Sequence, residues 1–147
     1  MRSSILAGSL LLAWNAALPA QMPLAIDPAG KSVKWGPCPP IFAKGCEIAV
    51  LRGDPALPNA DVVLRVRGGT RLGWHRHTSA ERMILLTGQL QVEYQGSKSA
   101  TLKRGDYAFG PAGLAHKAKC LGAAPCTLFI AFEGPVDAVA ADTPAGR

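Results

Sequence analysis

The sequence predicts an all-β fold, a single antiparallel β-barrel of roughly six to eight short strands. Three observations point there. Runs of alternating apolar and polar residues recur from Cys46 to Phe132, each closed by a Gly-, Pro- or Ser-bearing turn. No segment beyond the first twenty residues has helical periodicity. At 147 residues with no internal repeat, the chain has the length of one domain.

Residues 1–20 read as a cleaved signal peptide. Arg2 supplies a short positive start, Ile5 to Ala17 an apolar stretch, and Leu18-Pro19-Ala20 a small residue before the cut. The apolar stretch is short for a membrane span, so no stable membrane anchor is expected. Export to the periplasm or the outside follows. Residues 21–45 are rich in Pro and Gly and read as an extended arm. Its expected role is to cover a barrel edge or a neighbouring subunit in a homodimer, with Trp35 as a packing anchor.

The barrel is expected over residues 46–133. Cys46 to Leu51 is a strand, and Arg52 to Ala60 a Pro-containing loop. Its Arg-Gly-Asp triplet is too short to carry a recognition signal. Asp61 to Arg67 alternates as a strand with one wet face, and Gly68-Gly69 breaks it. Arg82 to Leu86 is a buried strand ending at the Thr87-Gly88 turn. Gln89 to Tyr94 follows, with Leu90, Val92 and Tyr94 on one face. Ser99 to Leu102, Asp106 to Phe109, Ala115 to Lys119 and Cys126 to Phe132 complete the barrel. Residues 134–147 are mostly Ala, Gly, Pro and Asp and read as a flexible tail.

The net charge is +6, but the basic residues are scattered and no nucleic-acid motif is present. Nucleic-acid binding is therefore not expected. Four cysteines fall as two close pairs, Cys38 with Cys46 and Cys120 with Cys126. They allow three pairings, of which the local one is simplest. Disulfides suit an exported chain. Free thiols and thiolate metal ligation compete, although neither pair has zinc-knuckle spacing.

The chemistry sits in Gly69 to Gly88, GTRLGWHRHTSAERMILLTG. His75 and His77 are two apart, so on a strand they face one way. Glu81, four further on, is at an even spacing that can return a carboxylate to the same side. The third of the chain's three histidines, His116, ends a second patterned stretch, Gly105 to His116. Imidazoles and a carboxylate converging in this way make a metal-binding set.

The spacing of Gly69, His75, His77, Glu81 and Gly88 resembles the first cupin motif. That of Gly105, Pro111, Gly113 and His116 resembles the second. Cys120 stands where the second motif usually has Asn. The resemblance runs from about Asp61 to Phe132. It implies a cupin jelly-roll barrel with one divalent transition metal inside, held by His75, His77, Glu81 and His116. The ligand set suits Mn, Fe, Co, Ni, Cu or Zn.

Four protein ligands leave two octahedral positions open, which is what catalysis requires. The leading expectation is a metal-dependent oxidoreductase of dioxygenase type acting on a small organic molecule. The alternative is a non-catalytic metal- or small-ligand-binding protein. Beyond the ligands, Arg71, Trp74, Arg82, Tyr94, Tyr107 and Phe109 flank the site or its neighbouring strands. Tyr94 and Tyr107 are the candidates for a proton donor, and Arg82 should point outward by alternation.

Overall fold

A computed structural model describes residues 22–42 and 44–143. The expected signal peptide lies outside the described residues. Eleven strands are present among them and no helix. They are β1 (Gly36–Pro37), β2 (Cys46–Arg52), β3 (Asp61–Val66), β4 (Arg71–Arg76), β5 (Glu81–Thr87), β6 (Leu90–Tyr94), β7 (Ala100–Leu102), β8 (Tyr107–Gly110), β9 (His116–Cys120), β10 (Cys126–Phe132) and β11 (Val139–Ala140). Nine of these fall between Cys46 and Phe132, more than the six to eight expected. The excess arises because the stretch around His75 is a strand in its own right.

The strands form two sheets with antiparallel pairing throughout, in the orders β1-β2-β3-β10-β5-β8 and β11-β4-β9-β6-β7. The architecture is all-β and jelly-roll-like. Alternation decides what lies between the sheets. From β10 the inward residues are Cys126, Leu128, Ile130 and Phe132; from β5, Glu81, Met83 and Leu85; from β6, Leu90 and Val92, all buried. Together with Val62, Val66 and Leu72 they form the main core.

The arm behaves as a cover. β1 pairs with β2 at the edge of the larger sheet. Ile26, Val33 and Trp35 pack on Ala49, Val63, Leu51 and Leu86, on the outer face of that sheet. The Arg65 guanidinium lies 4.2 Å over the Trp35 ring.

Both local disulfides form, Cys38–Cys46 and Cys120–Cys126, and no free cysteine remains. The second does more than close a hairpin. β9 belongs to the smaller sheet and β10 to the larger one, so this bridge staples the two sheets together.

One expectation is overturned. Residues 134–143 do not form a flexible tail; residues 144–147 lie outside the described residues. Val136 packs on the main core, its N–H donates to Pro55 O, and β11 pairs with β4. An Ala- and Pro-rich composition offers little apolar area. Here backbone hydrogen bonds and one valine anchor the segment instead.

Candidate metal centre

The smaller sheet supplies two of the three histidines. His75 on β4 and His116 on β9 are direct cross-strand partners, with ring centroids 4.1 Å apart. β4 carries an irregularity between Leu72 and His75, so Leu72 and His75 are both buried although three residues apart. Such a bulge re-aims the side chain that follows it. His77 lies just past the end of β4, in the connection that crosses to the larger sheet, and Glu81 opens β5 there. The carboxylate thus reaches the site by a change of sheet rather than by strand parity.

All four side chains are buried: His75 is 4 % exposed, His77 9 %, His116 4 % and Glu81 2 %. The donor atoms of the three histidines all lie within 4.8 Å of one another. Glu81 meets two of them, with Oε1 3.3 Å from His116 Nε2 and Oε2 3.5 Å from His77 Nε2.

The outer nitrogens share one pattern. His75 Nδ1 is 2.7 Å from Gly73 O, His116 Nδ1 is 3.3 Å from Leu114 O, and His77 Nδ1 bonds Asp137 O. A carbonyl only accepts, so each Nδ1 carries the hydrogen and donates it. Each Nε2 is left with a lone pair. Those of His77 and His116 confront the Glu81 oxygens, and Oε1 is buried without a hydrogen-bond partner. Acceptors facing acceptors in a buried space require a proton or a cation between them. Three neutral imidazoles held by their outer N–H groups, beside an orphaned carboxylate oxygen, are what a divalent transition metal needs.

Electrostatics agree. Burial lowers the His75 pKa to about 4 and, with His75 and His77 adding repulsion, that of His116 to about 3. Burial lowers His77 as well, opposed by the Asp137 carbonyl. Burial raises Glu81 to about 8. The imidazoles are therefore neutral near pH 7, the form in which they bind metal.

Around the four lies a cavity of about 60 Å³. Ile48, Leu64, Met83, Leu128 and Phe132 contribute to its largely apolar wall, and Phe42, Val136 and Asp137 also border it. Tyr94 stands beside His116 with ring centroids 5.1 Å apart, and its hydroxyl is buried without a partner. Burial, followed by the nearby Glu81 carboxylate, pushes its pKa up. Tyr107 does not belong here. It is 57 % exposed on β8, because that strand turns Gly110 inward against Glu81 and Tyr107 and Phe109 outward. Arg82 points outward, as alternation requires, and pairs with Glu133. Arg71 and Trp74 line a separate groove with Lys117 and Lys119 on the smaller sheet.

Sequence reasoning missed three participants. Gly73 supplies the carbonyl that holds His75. Gly110 leaves the space Glu81 fills, since a Cβ there would stand 2.7 Å from Oε1. Asp137 holds His77 from the supposed tail. Of these, Gly73 had a readable signal, as a glycine in a strand interior, where such a residue often marks a bulge.

The Cupin_2 family, described as Cupin domain, matches residues 62–132. No curated protein matches the chain. Among solved structures, the cupin-2 domain protein Rru_A2000 from Rhodospirillum rubrum is similar at 14% identity and a TM-score of 0.64, over 83% of this chain and 84% of that one. A cupin 2 conserved barrel domain protein from Rhodopseudomonas palustris matches at 18% identity and 0.61, over 74% and 77%. The DMSP lyase DddQ from Ruegeria pomeroyi DSS-3 matches at 19% identity and 0.64, over 74% of this chain and 61% of that one. The chain thus spans about six-tenths of that lyase's length. At these identities the likeness is one of fold.

Proposed function

We propose that the chain, whose residues 62–132 match the Cupin domain family and whose fold is similar to that of cupin structures, is an exported metalloprotein of the cupin superfamily. It holds one divalent transition metal on His75, His77, His116 and Glu81. It acts as an oxidoreductase of dioxygenase type on a small, largely apolar organic molecule. The observation that carries the metal assignment is the set of three Nδ1–H groups donated to carbonyls, with the Nε2 atoms of His77 and His116 turned on the Glu81 carboxyl group, whose Oε1 is unpartnered. The two disulfides are consistent with an oxidising compartment.

A bound transition metal would supply Lewis acidity and, if it is iron, manganese, nickel or copper, redox chemistry with dioxygen. The chain's own groups do the rest. Gly73, Leu114 and Asp137 fix the three rings through their carbonyls. Glu81 gives up its proton when a cation arrives, so metal binding should release a proton near neutral pH. Tyr94, beside His116 and with its pKa raised by burial, keeps its proton and is not available as a base. The apolar walls exclude water and favour an apolar substrate. A cavity of about 60 Å³ admits only a few heavy atoms, against roughly 300–1,000 Å³ for drug-sized sites.

That same small apolar chamber favours the second reading, a non-catalytic protein that stores or senses a metal or small ligand. The deciding experiment is metal analysis of natively exported protein, followed by oxygen uptake with small phenols, diols and thiols. A redox metal with substrate-dependent oxygen consumption, lost in His75→Ala, supports the enzyme. Stoichiometric metal without turnover across the panel supports the binding protein, and no bound metal refutes the metalloenzyme and leaves only a small-ligand binder.

A further inference from the structure

The segment after β10 is tied at several points to β4 and to the connection that carries His77. Glu133 N donates to Ala80 O at 3.1 Å, and Gly134 is packed so closely on Ser79 that a Cβ would stand 2.8 Å from the Ser79 Cβ. Asp137 then makes three contacts, one of which places its carboxylate Oδ1 4.0 Å from His77 Nδ1. Its carbonyl accepts from His77 Nδ1, and its carboxylate Oδ1 accepts from Thr78 N at 2.9 Å. Beyond it, Val139 and Ala140 pair with Arg76 and His75, and Ala141 N donates to Trp74 O at 3.0 Å.

His77 is the ligand that needs this support. His75 and His116 sit within strands and are fixed by the ladder between them. His77 lies between β4 and β5, outside any strand. Its ring orientation therefore rests on the partner of Nδ1, and that partner is the backbone of Asp137. The Asp137 side chain in turn sets where its own carbonyl lies, by gripping the next amide after His77. Val136, Asp137 and Ala138 also border the cavity, as do Pro39 and Phe42 of the arm.

Resting on the metal assignment above, we infer that Asp137 is a positioning residue for His77, and that residues 134–141 form a strap whose docking is coupled to metal binding. The coupling is reciprocal by linkage: a strap that favours the bound geometry of His77 is itself held down when metal occupies the site. Partners one step outside a metal's ligands typically change affinity 10–100-fold when lost.

The test measures Ni²⁺ or Zn²⁺ affinity calorimetrically on the full chain, stripped with chelator, for wild type, Asp137→Ala, Asp137→Asn and a chain ending at Gly134. Asp137→Ala should weaken binding by about tenfold or more. Asp137→Asn, whose amide oxygen can accept the same Thr78 bond, should restore it, which general destabilisation would not do. The shortened chain should be at least as weak as Asp137→Ala. If it does not fold, the point variants still decide. In wild type, amide exchange at residues 136–141 should slow on adding metal. Wild type that binds no metal defeats the metal assignment and takes the inference with it. Wild type that binds, with Asp137→Ala equally tight and exchange at 136–141 unchanged, overturns the inference alone.

Discussion

Replacing Glu81 by glutamine should stabilise the metal-free protein while removing its response to metal. Burial holds the Glu81 carboxyl at about 8, against 4.5 for an ordinary glutamate. Below pH 4.5 the folded and unfolded chains both keep the proton, and the residue does not affect stability. Between 4.5 and about 8 the unfolded chain ionises and the folded one does not, so stability falls as pH rises. Above about 8 the folded protein ionises too, and the loss reaches its limit. At pH 7 the gap from the ordinary value is about 2.5 pH units, and at about 1.4 kcal/mol each the cost is about 3 kcal/mol. Glutamine cannot ionise, and its amide can donate to His116 Nε2 or His77 Nε2, which lie 3.3 Å and 3.5 Å from the present carboxylate. Metal-free Glu81→Gln should therefore melt roughly 6–12 °C above metal-free wild type at pH 7, and the difference should close by pH 4.5. Adding Ni²⁺ or Zn²⁺ should raise the wild-type Tm and leave the variant unmoved. Calorimetric melts of chelator-treated protein at both pH values, with and without metal, measure all of this. Equal melting at pH 7, or an equal gain at pH 4.5, would refute the reasoning.

Three further outcomes are expected. Gly110→Ala places a methyl 2.7 Å from Glu81 Oε1 and should displace that carboxylate, weakening metal binding with the strands intact by circular dichroism; unchanged affinity would mean Glu81 takes no part. The pKa values of His75 and His116 lie at about 4 and about 3, so only the unfolded chain takes up these protons as pH falls below 6.5. Metal-free stability, read as a urea midpoint, should therefore drop from pH 6.5 towards 4, the two imidazoles outweighing the opposite contribution of Glu81 over that range, and bound metal should leave as the pH falls towards about 4, where His75 begins to take up a proton. Reduction should cost about 2–3 kcal/mol for each short disulfide loop, read as a lower denaturant midpoint in dithiothreitol; an unshifted midpoint argues against bridges that support the fold.

What could be read from the sequence was local. Two-residue alternation put Leu90, Val92 and Tyr94 on one face, and all three do turn inward to the core. The short separations within each cysteine pair chose the right partners. What escaped depended on which sheet a strand joins, and no spacing encodes that. The Cys120–Cys126 bridge reads as a hairpin closure until β9 and β10 are seen in different sheets. Tyr107 looked able to face the site because the parity of its strand was open; Gly110, pressed on Glu81, settles it outward. The strap escaped because composition measures apolar area. It is blind to the backbone bonds of Val136, Val139, Ala140 and Ala141 that dock these residues.

The positions of these groups explain why a chain this short keeps both a disulfide and a four-residue polar cluster in its interior. β9 has His116 at one end and Cys120 at the other, about 13 Å apart along a strand. At the Cys120 end, the bridge to Cys126 ties the smaller sheet to the larger. At the His116 end, two imidazoles belong to the smaller sheet, Glu81 to the larger and His77 to the connection between them. Without a cation this end is the weak one: burial works against the charged forms of His75, His77, His116 and Glu81 alike. Glu81 Oε1 has no hydrogen-bond partner there. A cation shared by the four would turn that cost into a second tie between the sheets. The ligand and disulfide ends are then complementary fastenings of one sandwich, covalent at one end and reversible at the end where the cavity and the strap are found.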